Sequence, residues 1–363
     1  MGIEEEITAI KEEIRKTPYN KATSHHIGRL KAKLARLKEE LQKRSVKSGG
    51  VGGYSIKKSG DATVVLIGFP SVGKSTLLNR LTDAKSQIGT YDFTTLNVIP
   101  GTLEYKGAKI QILDVPGLVQ GASIGKGRGK EVISVVRNAD LILLLIDVFN
   151  VKQHDVLVQE LYDAGIRINT HPPDITIRKK DRGGININST LNLSLSKDTI
   201  FSILKEYKIH NADILIREDL NIDEFIDALC FGNRKYISAI TVINKIDLVD
   251  LDFLKKLKNI FPDAIMISAD KDKNLQKLKD RIFKKLRFMR IYLKPQGKPP
   301  DLKEPMILRT DSTVEEVCNR IHKDFKKKFR YAKVWGNSAK HKGQKVGLDH
   351  KLCDEDILTV ILG

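Results

Sequence analysis

Apolar residues recur along this chain with two different periods, and each change of period marks an element. Ile3, Ile7, Ile10 and Ile14 share one helical stripe, and Ile27, Leu30, Leu34, Leu37 and Leu41 share another. With Thr17-Pro18-Tyr19-Asn20 between them, they predict a helical hairpin over 3–16 and 27–44. Ser48-Gly49-Gly50-Val51-Gly52-Gly53 reads as a linker. Short β-branched or aliphatic runs follow at 62–67, 96–104, 108–113, 141–147, 237–243 and 264–267, interleaved with helical patterns after Lys74, up to Gly165 and over Asn274–Arg290. Leu141 to Ile146 is apolar at every position, as a parallel strand covered on both faces requires. The alternation predicts an α/β domain with a mostly parallel sheet.

Two segments do not fit that alternation. About 70 residues separate Gly165 from Ile237, too many for an ordinary helix-to-strand connection, so an α+β subdomain is inserted there. It should hold a strand and turn over 172–187, helices at Lys197–Tyr207 and Ile222–Leu229, and a basic loop at Arg178, Lys179, Lys180 and Arg182. After the Pro/Gly-rich stretch Lys294–Pro300, residues 305–363 read as a helix-on-sheet module. Its expected elements are the strand Met306–Arg309, a helix Val314–Phe325 capped by Thr313, the strand Ala332–Trp335 and a closing strand Ile357–Ile361. The expected division is a helical region 1–47, a linker 48–60, an α/β domain 61–167 and 236–290, an insert 168–235 and a C-terminal domain 291–363.

Composition narrows the class. No apolar run approaches the roughly 20 residues of a membrane span, and the acidic start Met1-Gly2-Ile3-Glu4-Glu5-Glu6 lacks a signal-peptide core. Cys230, Cys318 and Cys353 are far apart and read as reduced thiols, so a cytoplasmic protein with no membrane partner is expected. The net charge of +18 favours a polyanionic partner through counterion release, or else marks a solvated basic surface. The partner expected is the ribosome or RNA, with no DNA. Two basic clusters stand out. Lys31, Lys33, Arg36, Lys38, Lys43, Arg44 and Lys47 on the hairpin read as an RNA or partner contact, or as a solvated face. In the C-terminal module Lys323, Lys326, Lys327, Lys328, Arg330, Lys333, Lys340, His341, Lys342 and Lys345 surround Phe329, Tyr331 and Trp335, a pattern suited to RNA backbone contact with occasional stacking, with Phe329 and Trp335 equally suited to a core.

The candidate chemistry begins where the first apolar strand runs into Gly68-Phe69-Pro70-Ser71-Val72-Gly73-Lys74-Ser75-Thr76, the spacing of a phosphate-binding loop. Gly68 and Gly73 let the backbone aim several N–H groups at one phosphate, Lys74 would reach the β- and γ-phosphates, and the Ser75 hydroxyl would ligate Mg²⁺. Thr95, about 20 residues on, stands where a nucleotide switch offers a second hydroxyl to the metal, and it is preferred over Thr94. Asp114-Val115-Pro116-Gly117 closes the next strand, with Asp114 supporting the metal shell and the Gly117 N–H available to the γ-phosphate. The glycine-rich run 121–130 reads as a second switch. Downstream, Asn244-Lys245-Ile246-Asp247 and Ser268-Ala269-Asp270 read the base. One carboxylate, Asp247, can accept from guanine N1–H and N2–H₂ together, whereas adenine presents an acceptor there, and the Ala269 N–H is a donor for the guanine carbonyl. The expected ligands are GTP or GDP with Mg²⁺.

In this order the motifs resemble those of Obg-related, translation-factor-class GTPases. Gly-Phe-Pro-Ser-Val-Gly-Lys-Ser (68–75), Phe-Thr-Thr-Leu (93–96), Gly-Lys-Gly-Arg-Gly (125–129), Lys-Lys-Asp-Arg-Gly-Gly-Ile (179–185), Glu-Tyr-Lys-Ile-His-Asn-Ala-Asp (206–213) and Val-Trp-Gly (334–336) are similar to the developmentally regulated GTP-binding (DRG) family. The resemblance spans almost the whole chain. It implies a C-terminal TGS domain of the β-grasp type, GTP hydrolysis, association with ribosomes or RNA, and in eukaryotic members a dedicated protein partner. One departure from Ras-like enzymes is Leu118, which stands where they place a glutamine that orients the attacking water. Intrinsic hydrolysis is therefore expected to be slow, with positioning supplied by a switch rearrangement, a partner or K⁺. Ser71 replaces the asparagine of several potassium-dependent relatives.

Overall fold

Six consecutive buried residues, Ala62–Ile67, form the strand around which the α/β domain is laid out in the computed structural model, which describes residues 2–20, 22–47, 60–82, 98–115 and 129–363. In chain order the elements are α1 (Ile3–Lys16), α2 (Ser24–Lys47), β1 (Ala62–Ile67), α3 (Lys74–Leu81), β2 (Ile99–Tyr105), β3 (Ala108–Asp114), α4 (Gly129–Arg137), β4 (Leu141–Asp147) and α5 (Gln153–Asp163). They continue with β5 (Ile166–Ile168), β6 (Ile175–Lys179), β7 (Ile185–Ser189), α6 (Lys197–Glu206), β8 (Ala212–Ile216), α7 (Ile222–Leu229), β9 (Lys235–Asn244), α8 (Leu251–Ile260), β10 (Ile265–Met266) and α9 (Leu275–Lys285). The C-terminal elements are β11 (Phe288–Leu293), β12 (Met306–Arg309), α10 (Val314–Ile321), β13 (Phe329–Trp335), β14 (Gln344–Val346) and β15 (Asp356–Leu362). The linker expected at 48–60 falls outside the described residues except for Gly60.

The chain divides into two compact units, one made of Met1–Tyr54, Gln120–Ile133 and Gln159–Tyr236, the other of Ser55–Val119, Ser134–Val158 and Ile237–Gly363. In the second, the strand order β10-β9-β4-β1-β3-β2 is parallel throughout except for β2, which returns antiparallel to β3. Lys106 and Gly107, at φ +51° and +81°, make the tight turn that matches strand twist. Leu77, Leu78 and Leu81 of α3 and Leu275, Leu278 and Ile282 of α9 share one core with Leu66, Leu143 and Val242 of the sheet.

The same unit holds a five-stranded sheet, order β12-β11-β15-β13-β14, with α10 in its core. Here the structure corrects the expected helix Asn274–Arg290. That helix ends at Lys285, Arg287 takes φ +54°, and Phe288–Leu293 becomes a strand between β12 and β15. The alternation of Met289, Ile291 and Leu293 towards the core decides the matter, since helical spacing would place these residues on different faces. Arg320 reaches Asp61 at 2.7 Å and Arg309 reaches Asp140 at 3.2 Å. Both aspartates also hold the start of β1 and its neighbour, accepting from the Lys109 and Thr63 N–H groups at 2.9 Å each.

In the first unit, Ile10, Leu30 and Leu37 form the seam of the hairpin with Ile3, Ile7, Ile14 and Leu34. A second face of α2 is also buried. Ile27 and Ala32 share a core with Leu195, Ile200, Ile203 and Phe225 of the insert, so the hairpin and insert are one hydrophobic body. The insert's sheet runs β6-β8-β7, and its central strand, Ala212–Ile216, was not among the expected elements. Four of the hairpin cations are engaged in ion pairs. Lys31 pairs with Asp223 at 2.7 Å, Arg36 with Glu206 at 3.1 Å, Lys38 with Asp163 at 2.8 Å and Lys33 with Glu6 at 2.6 Å. These four side chains hold the first unit together. Among the described residues no helix is long and apolar enough to cross a membrane.

Candidate nucleotide site

The motif residues meet at the carboxyl ends of the parallel strands, where open α/β sheets form their ligand crevices. Register brings them together: Leu66, just before the phosphate loop, is level with Asp114, and Asp147 with Asn244. Gly68 is required by close approach, since a Cβ there would lie 2.4 Å from the Leu145 carbonyl. Gly73 has φ +94°, and a Cβ there would lie 2.5 Å from Asn244 Nδ2. Helix α3 begins after Gly73 with no side-chain cap and no acidic residue in its first turn, so its positive end remains suited to phosphate.

Lys74 Nζ donates to the carbonyls of Gly68 and Phe69, both at 3.0 Å, and so arches over the loop. Burial pushes this ammonium down from its ordinary pKa, against the opposing pull of Asp114. The Ser75 hydroxyl donates to Asp114 Oδ2 at 2.7 Å. The other carboxylate oxygen of Asp114 is buried with no hydrogen-bond partner among the described residues. Two hard oxygen donors side by side, one of them with an unused lone-pair set, fit Mg²⁺. Ser71 adopts φ +63° in the loop, Val72 is buried, Pro70 is exposed, Phe69 packs partly against the core and Thr76 is half-buried in α3.

Asn244 ties the base loop to the phosphate loop: its Nδ2 donates to the Val72 carbonyl at 2.9 Å, while its Oδ1 accepts the Ala269 N–H at 3.0 Å. The Ala269 donor expected to face guanine is thus engaged with Asn244. Asp247 is half-exposed, and a hydrogen bond from Ser268 holds its carboxyl below the usual range. Ser268 is fully buried and also accepts from the Lys271 N–H at 3.2 Å. Lys245, at φ +65°, sends its ammonium to Asp147 Oδ2 at 2.6 Å, and Asp147 Oδ1 accepts the Phe149 N–H at 2.9 Å. Asp147 is the site residue that sequence reasoning passed over. Its signal was a carboxylate ending a strand otherwise wholly apolar, level with Asn244. Thr95, Gly117, Leu118 and the run 121–128 lie outside the described residues.

Comparison with known proteins gives the same class. A family model described as a 50S ribosome-binding GTPase matches residues 63–179, one described as the C-terminal region of the MMR_HSR1 domain matches 182–288, and a TGS domain model matches 289–362. The fold and site therefore define a P-loop GTPase carrying a C-terminal TGS domain. An uncharacterised GTP-binding protein of Methanocaldococcus jannaschii is 59% identical over 367 residues, covering 100% of this chain and 93% of its own. Developmentally-regulated GTP-binding protein 1 of Xenopus laevis is 47% identical over 362 residues, covering 98% of each. The chain belongs to the developmentally regulated GTP-binding family. Among solved structures, the Schizosaccharomyces pombe YchF GTPase aligns with a TM-score of 0.46 at 14% identity, over 84% of this chain and 99% of that one.

Proposed function

We propose that this GTPase is a Mg²⁺-dependent cytoplasmic switch that hydrolyses GTP to GDP and phosphate and couples its nucleotide state to docking on the ribosome or RNA. The observation that carries the reading is the bridge from Asn244 to Val72 and Ala269, which fixes a base-reading loop against a phosphate-reading loop. In this reading Lys74 and the backbone of 68–76 hold the phosphates, Ser75, Asp114 and Thr95 hold Mg²⁺, and Asn244, Lys245, Asp247, Ser268 and Ala269 form the guanine side. Mg²⁺, when bound, would neutralise charge shared by the β- and γ-phosphates. Gly117 would donate its N–H to the γ-phosphate. Leucine at 118 cannot orient water, so turnover rises when a ribosome, a protein partner or K⁺ supplies what it lacks. The ribosomal role is supported by the description of the matched family, and an RNA partner by the net charge of +18.

The test is GTP turnover with and without ribosomes, in potassium and then in sodium, alongside ribosome co-sedimentation with a GTP analogue and with GDP. Nucleotide-dependent sedimentation and stimulated turnover are expected. Sedimentation indifferent to nucleotide would reduce the chain to an RNA-binding scaffold.

A further inference from the structure

Wholly within the first unit lies a cavity of about 640 Å³, a size typical of small-molecule sites. Residues of α1, α2, α5, β5 and α7 line it. Ile14, Leu34, Ala35 and Ile226 give its wall an apolar stretch, and elsewhere five cationic side chains stand against four carboxylates. Several of these charges already answer one another. Arg167 clasps Asp227 at 2.5 and 2.7 Å and donates to the Tyr162 carbonyl at 2.7 Å, with its guanidinium 3.6 Å from the centroid of the Tyr162 ring. Lys31 pairs with Asp223 at 2.7 Å.

The remaining groups are matched only in part. Arg234 donates through Nε to Asp227 at 2.6 Å, but its Nη1 stands 3.8 Å from Glu39 Oε1, beyond hydrogen-bond reach. Glu39 Oε1 is buried with no hydrogen-bond partner among the described residues. Lys11 Nζ is likewise 3.8 Å from Asp163, which Lys38 holds at 2.8 Å. Burial pushes the Lys38 ammonium down from its ordinary pKa against the pull of Asp163, and the charges of Lys11 and Arg234 act in the same downward direction. A buried carboxylate oxygen lacking a donor costs free energy that an N–H of a ligand would recover. The guanidinium beside it favours an anion. Poles 3.8 Å apart match the ammonium and carboxylate of an α-amino acid, which are carried on one carbon. Inorganic phosphate fits less well, because it would meet the carboxylates of Glu39, Asp163 and Asp227 in the same wall. We propose that this cavity binds a free α-amino acid with a large apolar side chain, its ammonium on Glu39 and its carboxylate on Arg234 and Lys38. The side chain lies along the apolar stretch. This ligand is additional to the nucleotide, and the proposal stands independently of the switch reading.

The full chain is titrated calorimetrically with L-phenylalanine, L-leucine and L-tryptophan. Two half-ligands serve as controls: 3-phenylpropionate, which lacks the ammonium, and phenethylamine, which lacks the carboxylate. Saturable binding of at least one of the three amino acids is expected, with a rise in melting temperature. If phenylalanine binds, each half-ligand should bind about tenfold more weakly or worse, and inorganic phosphate should not compete. Glu39→Gln, close to the parent in shape, should weaken the amino acid by about tenfold or more yet melt no lower than the parent, since it removes a buried charge. A purely structural Glu39 predicts the reverse, a lower melting temperature with affinity unchanged. Lys38→Met, which keeps the aliphatic stem, should weaken phenylalanine and leave phenethylamine unaffected, because only the former presents a carboxylate. Both variants should keep basal GTP turnover. The proposal is overturned if none of the three amino acids binds saturably, if phosphate displaces the one that does, or if a half-ligand binds as tightly as phenylalanine. Amino-acid affinity unchanged in either variant overturns it as well.

Discussion

Asn244 donates its side-chain N–H to the carbonyl of Val72 at 2.9 Å across 172 residues of sequence. One carboxamide therefore sets the spacing between the loop proposed to grip phosphate and the loop proposed to read the base. Because Ala269 N–H is satisfied by the same side chain, removing it orphans a buried donor and a buried acceptor together. Asn244→Ala should cost about 2 kcal/mol of stability and weaken binding of fluorescent GDP by tenfold or more, on the order of the penalty for unmade buried hydrogen bonds. Thermal melting with and without GDP checks both.

Asp247→Asn replaces a double acceptor by a group that offers guanine one acceptor and one donor. Preference should move from guanosine to xanthosine triphosphate, and unchanged GTP affinity would reject the assignment. In the parent, the hydrogen bond from Ser268 holds this carboxyl below the usual range. In the proposed role, the ionised form is the one that accepts from guanine. Preference for GTP over ATP should therefore survive as pH falls to about 4, the ordinary carboxylate value, and be lost only beneath it, as competition binding between the two nucleotides would record.

Lys245 and Asp147 should act as a pair. Asp147→Ala leaves an ammonium without its 2.6 Å partner beside the base loop, and nucleotide dissociation should accelerate several-fold. Lys245→Met, which keeps the aliphatic stem, should remove most of that effect. A double-mutant cycle on GDP dissociation tests this, with additivity of the two changes as the opposing result.

Arg290 grips Asp354 through side-chain contacts at 2.7 and 3.2 Å, and the Arg290 N–H adds one at 2.6 Å. Burial alone would raise the Asp354 pKa, but these hydrogen bonds and the guanidinium charge outweigh it and leave the carboxyl below its ordinary value. A carboxyl lowered in the folded state stabilises above its unfolded pKa of about 3.9, and that contribution is lost as pH falls through the lower folded value. The melting temperature should therefore drop as pH is taken below about 4, and Asp354→Asn should melt lower at neutral pH but lose less on acidification.

What could be read in advance was local. The phosphate loop, Asp114 and the Asn244–Asp247 stretch carry their candidate chemistry in a few adjacent residues, so spacing alone singled them out as candidates. Short strands fared worse: Ala212–Ile216 is a five-residue stretch with Asp213 in it, and only its two neighbours in the insert's sheet make it a strand. At Arg287 the chain leaves the helix through a positive φ without a glycine to announce it, so the following strand read as more helix. Asp147 became visible only when register set it beside Asn244. The second buried face of α2 depends on Ile27 and Ala32, whose partners arrive more than 160 residues later, and no window of sequence holds both.

That separation has a consequence for biosynthesis. On leaving the ribosome, α2 exposes Ile27 and Ala32 until Ile200, Ile203 and Phe225 have been made. At about 5–20 residues per second the wait is on the order of ten seconds or more, spent while the phosphate loop and much of its sheet emerge. The nascent hairpin must therefore be shielded or held in reserve, and a chain cut before residue 195 should be captured by chaperones despite containing the phosphate loop.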